Sequence, residues 1–129
     1  MDARADAPER LRDRRGAKFC NRIRKRFVMA IYQTGAYRVK PESVAKVKAA
    51  IEAFVAYLQA NEPGTQMYLA WQEKDDPTRF VHLFIFADAA AHERHGQSEA
   101  VKRFESVYSP ELVGGNVIFT DYEMIAGKR

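Results

Sequence analysis

The sequence predicts a ferredoxin-like α+β fold, with a βαββαβ order of elements and an antiparallel sheet. Three observations point there. One amphipathic helix follows a first strand pattern, two apolar strand patterns flank a short turn signal, and two short helical patterns precede a last strand. A chain of 129 residues has room for a single domain of this size.

The first strand is expected within Phe27 to Lys40, a stretch rich in β-branched and aromatic residues in which Gly35 marks a bulge or a close approach. Pro41 suits the first position of a helix, where its missing N–H costs nothing, and Glu42 suits the first turn. Val44, Val47, Ile51, Phe54, Val55 and Leu58 then recur at spacings of three and four, with charged residues between them, so a helix is expected to run to about Ala60. Asn61-Glu62-Pro63-Gly64 ends it.

Thr65 to Lys74 reads as the second strand and Phe80 to Phe86 as the third, paired as a hairpin through Asp75-Asp76-Pro77-Thr78. Asp88 can cap a helix that is interrupted at Gly96, and Ser98 can cap a second segment carrying Val101, Phe104 and Val107. Pro110 and Gly114-Gly115 break the chain before a last strand from Val117 to Ile125.

Charge is distributed unevenly. Residues 1–26 hold ten Lys or Arg against four acids, and the remainder holds eleven bases against thirteen acids. The basic character therefore belongs to the tail, which is expected to be disordered, while residues 27–129 form the domain. The tail carries no base-reading motif or aromatic interleaving, so nucleic acid is not the expected partner. Arg14-Arg15 resembles a twin-arginine start, but no apolar stretch follows it. Met29 stands where the globular pattern begins and could be the true start. No apolar run approaches the roughly 18 residues of a membrane span, and a single cysteine, Cys20, excludes an internal disulfide framework. A reducing, cytoplasmic setting is expected.

The third strand presents Phe80, His82, Phe84 and Phe86 on one face and Val81, Leu83 and Ile85 on the other. Neither face is made for water, and the helices can cover only one. The uncovered face is expected to meet a second copy of the chain, giving a homodimer.

Few residues can carry chemistry. His92 and His95 stand one helical turn apart, but two histidines make no metal site without a third ligand, and no Cys or His partner is evident. Ser98 has a capping role, and there is no nucleophile elbow. His82, on an aromatic strand, suits a hydrogen-bonded core position as well as a site. His95, beside Gly96, could bond a backbone carbonyl at the helix joint or serve a site. Tyr68 and Trp71 point to opposite faces of the second strand.

The segment from Glu62 to Ser98 resembles the antibiotic biosynthesis monooxygenase (ABM) family. The matching pieces are Glu62-Pro63-Gly64, Asp75-Asp76-Pro77, Asp88-Ala89-Ala90-Ala91 and His95-Gly96-Gln97-Ser98, the last corresponding to the family's H-x-x-S. The resemblance extends over about residues 27–126 and implies a dimeric α+β barrel. It departs from the family pattern on the third strand, where Phe84 and Phe86 replace a common Glu and Trp, and on the first, where Gln33-Thr34 occupies the region of the Asn found in haem-degrading relatives. Haem degradation is thereby disfavoured.

The resemblance implies a monooxygenase that needs no flavin, haem or metal and acts with O2 on a phenol, quinol or polyketide-like aromatic. His95 would be the base or a hydrogen-bond partner of the substrate oxygen, and Trp71, Tyr68, His82, Phe84 and Phe86 are the implied candidates for the pocket wall, not all of which strand alternation lets face it. The alternative is a non-catalytic barrel of the same fold that binds a small hydrophobic ligand, since one fold hosts many functions.

Overall fold

The structure, a computed structural model, describes residues 30–128. The basic segment 1–26, Cys20 and Met29 lie outside the described residues, as do the first residues of the expected first strand. The elements are β1 (Ile31–Arg38), α1 (Val44–Asn61), β2 (Thr65–Gln72), β3 (Arg79–Phe86), α2 (Ala89–Gly96), α3 (Glu99–Tyr108) and β4 (Ile118–Tyr122). The strands form one antiparallel sheet in the order β2-β3-β1-β4, and the helices pack on one side of it. This is the ferredoxin-like arrangement expected from the order of elements.

Boundaries moved where local bonding competes with the pattern. β1 stops at Arg38 because Val39 leaves the ladder for an isolated bridge to Leu112. Pro41 opens a short 3-10 turn, Pro41–Ser43, and the α-helix proper begins at Val44. β2 ends at Gln72, before Glu73 and Lys74, and bulges between Thr65 and Met67. β4 is shorter than expected, with Val117 and Glu123 to Ile125 outside it.

The expected caps are in place. Asp88 Oδ1 accepts from the Ala91 N–H at 2.8 Å, and Ser98 Oγ accepts from the Val101 N–H at 3.2 Å, each satisfying a donor that the first helical turn leaves unpaired. The helix that starts after Asp88 stops at Gly96, and a new one starts at once, so the chain turns without a long loop.

The core lies between the helices and one sheet face. Val47, Ile51, Phe54 and Leu58 of α1 pack with Phe104 and Tyr108 of α3 over Tyr37 and Phe80. Phe54 and Phe104 stack at 4.8 Å between centroids with planes 9° apart. Along β3, Phe80, His82, Phe84 and Phe86 face this core, and Phe86 is fully buried, which is worth about 1.5–3 kcal/mol for such a side chain. A second cluster, Phe84, Phe86 and Ala91, attaches α2 to the sheet.

The other sheet face is open. Met67, Leu69 and Trp71 of β2, Val81 of β3, and Ile118 and Tyr122 of β4 are exposed there, with Ile118 68% accessible. An apolar face of this extent on one chain is what the two-sided pattern of β3 anticipated.

Candidate functional site

A pocket of about 180 Å³ lies between the helix-covered face of the sheet and α2 and α3. Strand alternation decides its floor. Gln33, Gly35 and Tyr37 of β1 share a face with His82, Phe84 and Phe86 of β3, and the register sets Gly35 opposite His82, Gln33 opposite Phe84 and Tyr37 opposite Phe80. A side chain at Gly35 would crowd the rim: a Cβ there would stand 3.2 Å from Phe119 and 3.4 Å from Val117. Exposed Gly96 and Phe119 are also among the lining residues and form the rim.

The floor contains one buried polar array. The Tyr37 hydroxyl lies 2.8 Å from His82 Nε2, and the Tyr68 hydroxyl lies 2.8 Å from His82 Nδ1. His82 is 2% exposed, and burial pushes its pKa down to about 4, because an imidazolium would lose its hydration there. Burial raises both tyrosine hydroxyls well above their ordinary value, and it raises Tyr108, helped by the charge of Glu105, to about 12. At neutral pH the array is therefore uncharged, and both ring nitrogens of His82 are occupied. His82 is a satisfied buried residue that nevertheless lines the pocket.

His95 is placed differently. Its Nδ1 lies 2.8 Å from Glu62 Oε1, and the same oxygen accepts from Thr65 Oγ1 at 2.8 Å. The carboxylate favours the Nδ1–H tautomer, which leaves Nε2 as a hydrogen-bond acceptor with no partner among the described residues. The ring packs against Phe86 at 5.0 Å and Phe54 at 5.7 Å, and the residue lines the pocket. A base held in one orientation by a carboxylate, at the wall of an apolar cavity, can take a proton from a bound hydroxyl or activated C–H. The position beside Gly96 allowed either a backbone carbonyl or a site as the partner of His95, and the partner is a side-chain carboxylate.

His92 also lines the pocket, edge-on to Phe86 at 5.0 Å, its ring without a hydrogen bond to a described residue. Among the described residues no group of three or more His, Cys, Asp or Glu is arranged to hold a metal ion.

Of the residues expected at the site, His95, Tyr68, His82, Phe84 and Phe86 come together around the pocket. Trp71 does not. It is 51% exposed on the open sheet face, because it stands an odd number of residues from Tyr68 and the helices cover the Tyr68 side. Three contributors are not evident as site residues from the sequence. Glu62 reads there as part of a helix stop and of a stretch matching the family but not as a site residue, Tyr37 only as a strand residue, and Phe104 only as the apolar side of a helix. The period-two step from Gln33 through Gly35 to Tyr37 carries a signal, since it puts the glycine and the tyrosine on one face.

The fold and the site together define a class: a ferredoxin-like α+β protein with an aromatic pocket and an oriented histidine between sheet and helices. The chain belongs to the antibiotic biosynthesis monooxygenase family, whose sequence profile matches residues 30–106. No curated protein matches it significantly. Among solved structures it is similar to a protein of Bacteroides thetaiotaomicron VPI-5482 provisionally named an antibiotic biosynthesis monooxygenase, with TM-score 0.71 and 19% identity over 77% of this chain and 92% of that one. A Caulobacter crescentus CB15 protein, named in the same provisional way, aligns with TM-score 0.70 and 20% identity over 82% of this chain and 99% of that one. A conserved protein of Methanosarcina mazei Go1 aligns with TM-score 0.68 and 21% identity over 78% and 97%. At these identities the likeness is one of fold. Among the described residues no helix is long and apolar enough to cross a membrane.

Proposed function

We propose that this protein is a monooxygenase that uses O2 without flavin, haem or metal to oxidise a small phenol- or quinol-type aromatic, and that it works as a homodimer in the cytoplasm. The observation that carries this reading is the Glu62-oriented His95, whose Nε2 is available at the wall of an aromatic pocket. A pocket of about 180 Å³ is somewhat larger than the cavity of about 150 Å³ known to accept benzene, so a compact aromatic of one to two rings is the ligand size it favours. The walls of Phe54, Phe84, Phe86 and Phe104 supply stacking surfaces for such a ring.

In this reading His95 Nε2 removes a proton and leaves an electron-rich anion. The anion passes one electron to O2, the two radicals join in a C–O bond, and the resulting hydroperoxide loses water. A ring C–H carbon ortho or para to the hydroxyl becomes a quinone carbonyl: one oxygen atom stays on carbon, the other leaves as water with that ring hydrogen and the hydroxyl hydrogen, and the four electrons that reduce O2 come from the substrate. The pocket's task is to hold the anion in apolar surroundings next to the base. The open apolar sheet face supports the dimer, and a single cysteine in 129 residues supports a reducing compartment.

The test is oxygen uptake during a screen of one- and two-ring quinols and naphthols, with three-ring anthrones for comparison of size, with chelator present and no added flavin or metal. Uptake that yields a carbonyl product with one labelled oxygen from 18O2 supports the proposal. Tight binding of these aromatics without any oxygen uptake would instead identify a ligand-binding barrel.

A further inference from the structure

The Tyr37–His82–Tyr68 array holds more protons than its own bonds use. Two hydrogen bonds, 2.8 Å each, join the three side chains. A neutral imidazole brings one N–H and each phenol one O–H, so three protons serve two bonds. Were the imidazole charged, it would donate to both hydroxyls and leave two O–H groups over. With both phenols protonated, at least one tyrosine O–H is left over whether the imidazole is neutral or charged, and neither hydroxyl has another acceptor among the described residues. The surplus proton belongs to residues that line the pocket.

We propose that this array is a hydrogen-bond donor site for an acceptor oxygen, a carbonyl or phenolate, on the aromatic ligand. The pocket thereby selects oxygenated aromatics over hydrocarbons of the same shape. This deepens the reading above by naming the ligand chemistry, and it rests on the pocket's being the ligand site but not on turnover. The donor is also movable. With the proton on Nε2, the imidazole donates to Tyr37 and accepts from Tyr68, and Tyr37 keeps the spare O–H. With the proton on Nδ1 the roles reverse and Tyr68 keeps it. A shift of tautomer relocates the donor across the imidazole at no cost in bonds, so the site can meet acceptor oxygens at two positions. One tyrosine can also stand in for the other: in Tyr37→Phe, His82 and Tyr68 still hold two protons for one bond.

The probes are 1-tetralone and tetralin, two-ring molecules of nearly the same shape that differ by one carbonyl and offer no phenol to oxidise. Calorimetric titration of the full chain gives the ratio of their affinities, and the infrared carbonyl stretch of bound tetralone reports directly on a donor. In the wild type the stretch is expected below its value in a hydrocarbon solvent. Each single variant, Tyr37→Phe or Tyr68→Phe, should keep most of the preference for the ketone. The double variant should lower the tetralone-to-tetralin affinity ratio by roughly five- to tenfold, the factor one neutral hydrogen bond is worth, and raise the stretch.

An unshifted stretch in the bound wild type would overturn the proposal even if the double variant fails to fold. So would an affinity ratio unchanged in a folded double variant, or failure of both probes to bind. None of these results depends on oxygen uptake, so the donor site and the oxygenase reading fail separately.

Discussion

Glu62 and His95 stand 33 positions apart in the chain and meet through a 2.8 Å contact between Oε1 and Nδ1. One comes from the turn that ends α1 and the other from the last turn of α2, and both side chains are largely shielded from solvent. The pair turns a histidine at a helix joint into an oriented acceptor facing an aromatic pocket.

If His95 is the base, His95→Ala should lower the rate of substrate-dependent oxygen consumption by about 100-fold or more, the usual scale of a general-base contribution, while circular dichroism stays native. Glu62→Gln should cost less, about 10-fold, because an amide can still hold the ring but no longer favours one tautomer so strongly. His92→Ala should matter less than His95→Ala, since the His92 ring has no hydrogen-bond partner among the described residues. Full activity in His95→Ala would remove the residue from the mechanism.

Stability should fall in mild acid because of His82. Its pKa drops from 6.5 to about 4 on folding through loss of hydration, so between those values the unfolded chain binds the extra proton and the fold is penalised. The full stability is present above pH 6.5 and declines as the pH falls toward 4, by about 2 kcal/mol at pH 5 and about 3 kcal/mol over the whole window. The carboxylates of Asp76 and Glu111 are held below their ordinary range, chiefly by hydrogen bonds from Thr78 and Ser43. Urea unfolding at pH 7.5 and pH 5 measures the difference, and equal midpoints would contradict the assignment.

Gly64→Ala should be destabilising despite its exposed-turn sequence context. The new Cβ would stand 2.8 Å from the Ala91 Cβ and 3.3 Å from Arg94 Nη2, and Gly64 also accepts a 2.9 Å bond from the Ala87 N–H. Either the turn or α2 must move, at a cost of about 1–3 kcal/mol. The melting temperature is expected to drop by at least about 5 °C. Because α2 carries His95, activity should drop along with it. Gly96→Ala, which meets no described residue within 4 Å, is the control and should leave the melting temperature nearly unchanged.

The open sheet face should bury itself in a homodimer. Light scattering at micromolar concentration is expected to give twice the chain mass. Leu69→Arg, on the exposed side of β2 opposite Leu83, should shift the protein to monomer without disturbing the helix-covered core. A wild-type chain that stays monomeric and soluble would defeat the prediction.

Periodicity, caps and turns are local, and they make much of this protein legible from its residues. The spacing of Val47, Ile51, Phe54 and Leu58 specifies α1, Asp88 and Ser98 mark where α2 and α3 begin, and Asp75 to Thr78 join β2 to β3. The alternation along β3 is enough to group His82 with Phe84 and Phe86, and the H-x-x-S stretch draws attention to His95. Sequence alone says that Tyr68 and Trp71 face opposite ways. It does not say which of them the helices cover, because both faces of β3 are apolar and either would repay burial. Tertiary packing decided that, and it left Trp71 on the open face. It also decided the partners of the polar groups. Tyr37, Tyr68 and His82 come from three different strands, and Glu62 reaches His95 only because the Gly64 turn lets α2 approach closely. A buried polar group must find a partner, but which one depends on strand register and helix placement across tens of residues, and no local pattern encodes those distances.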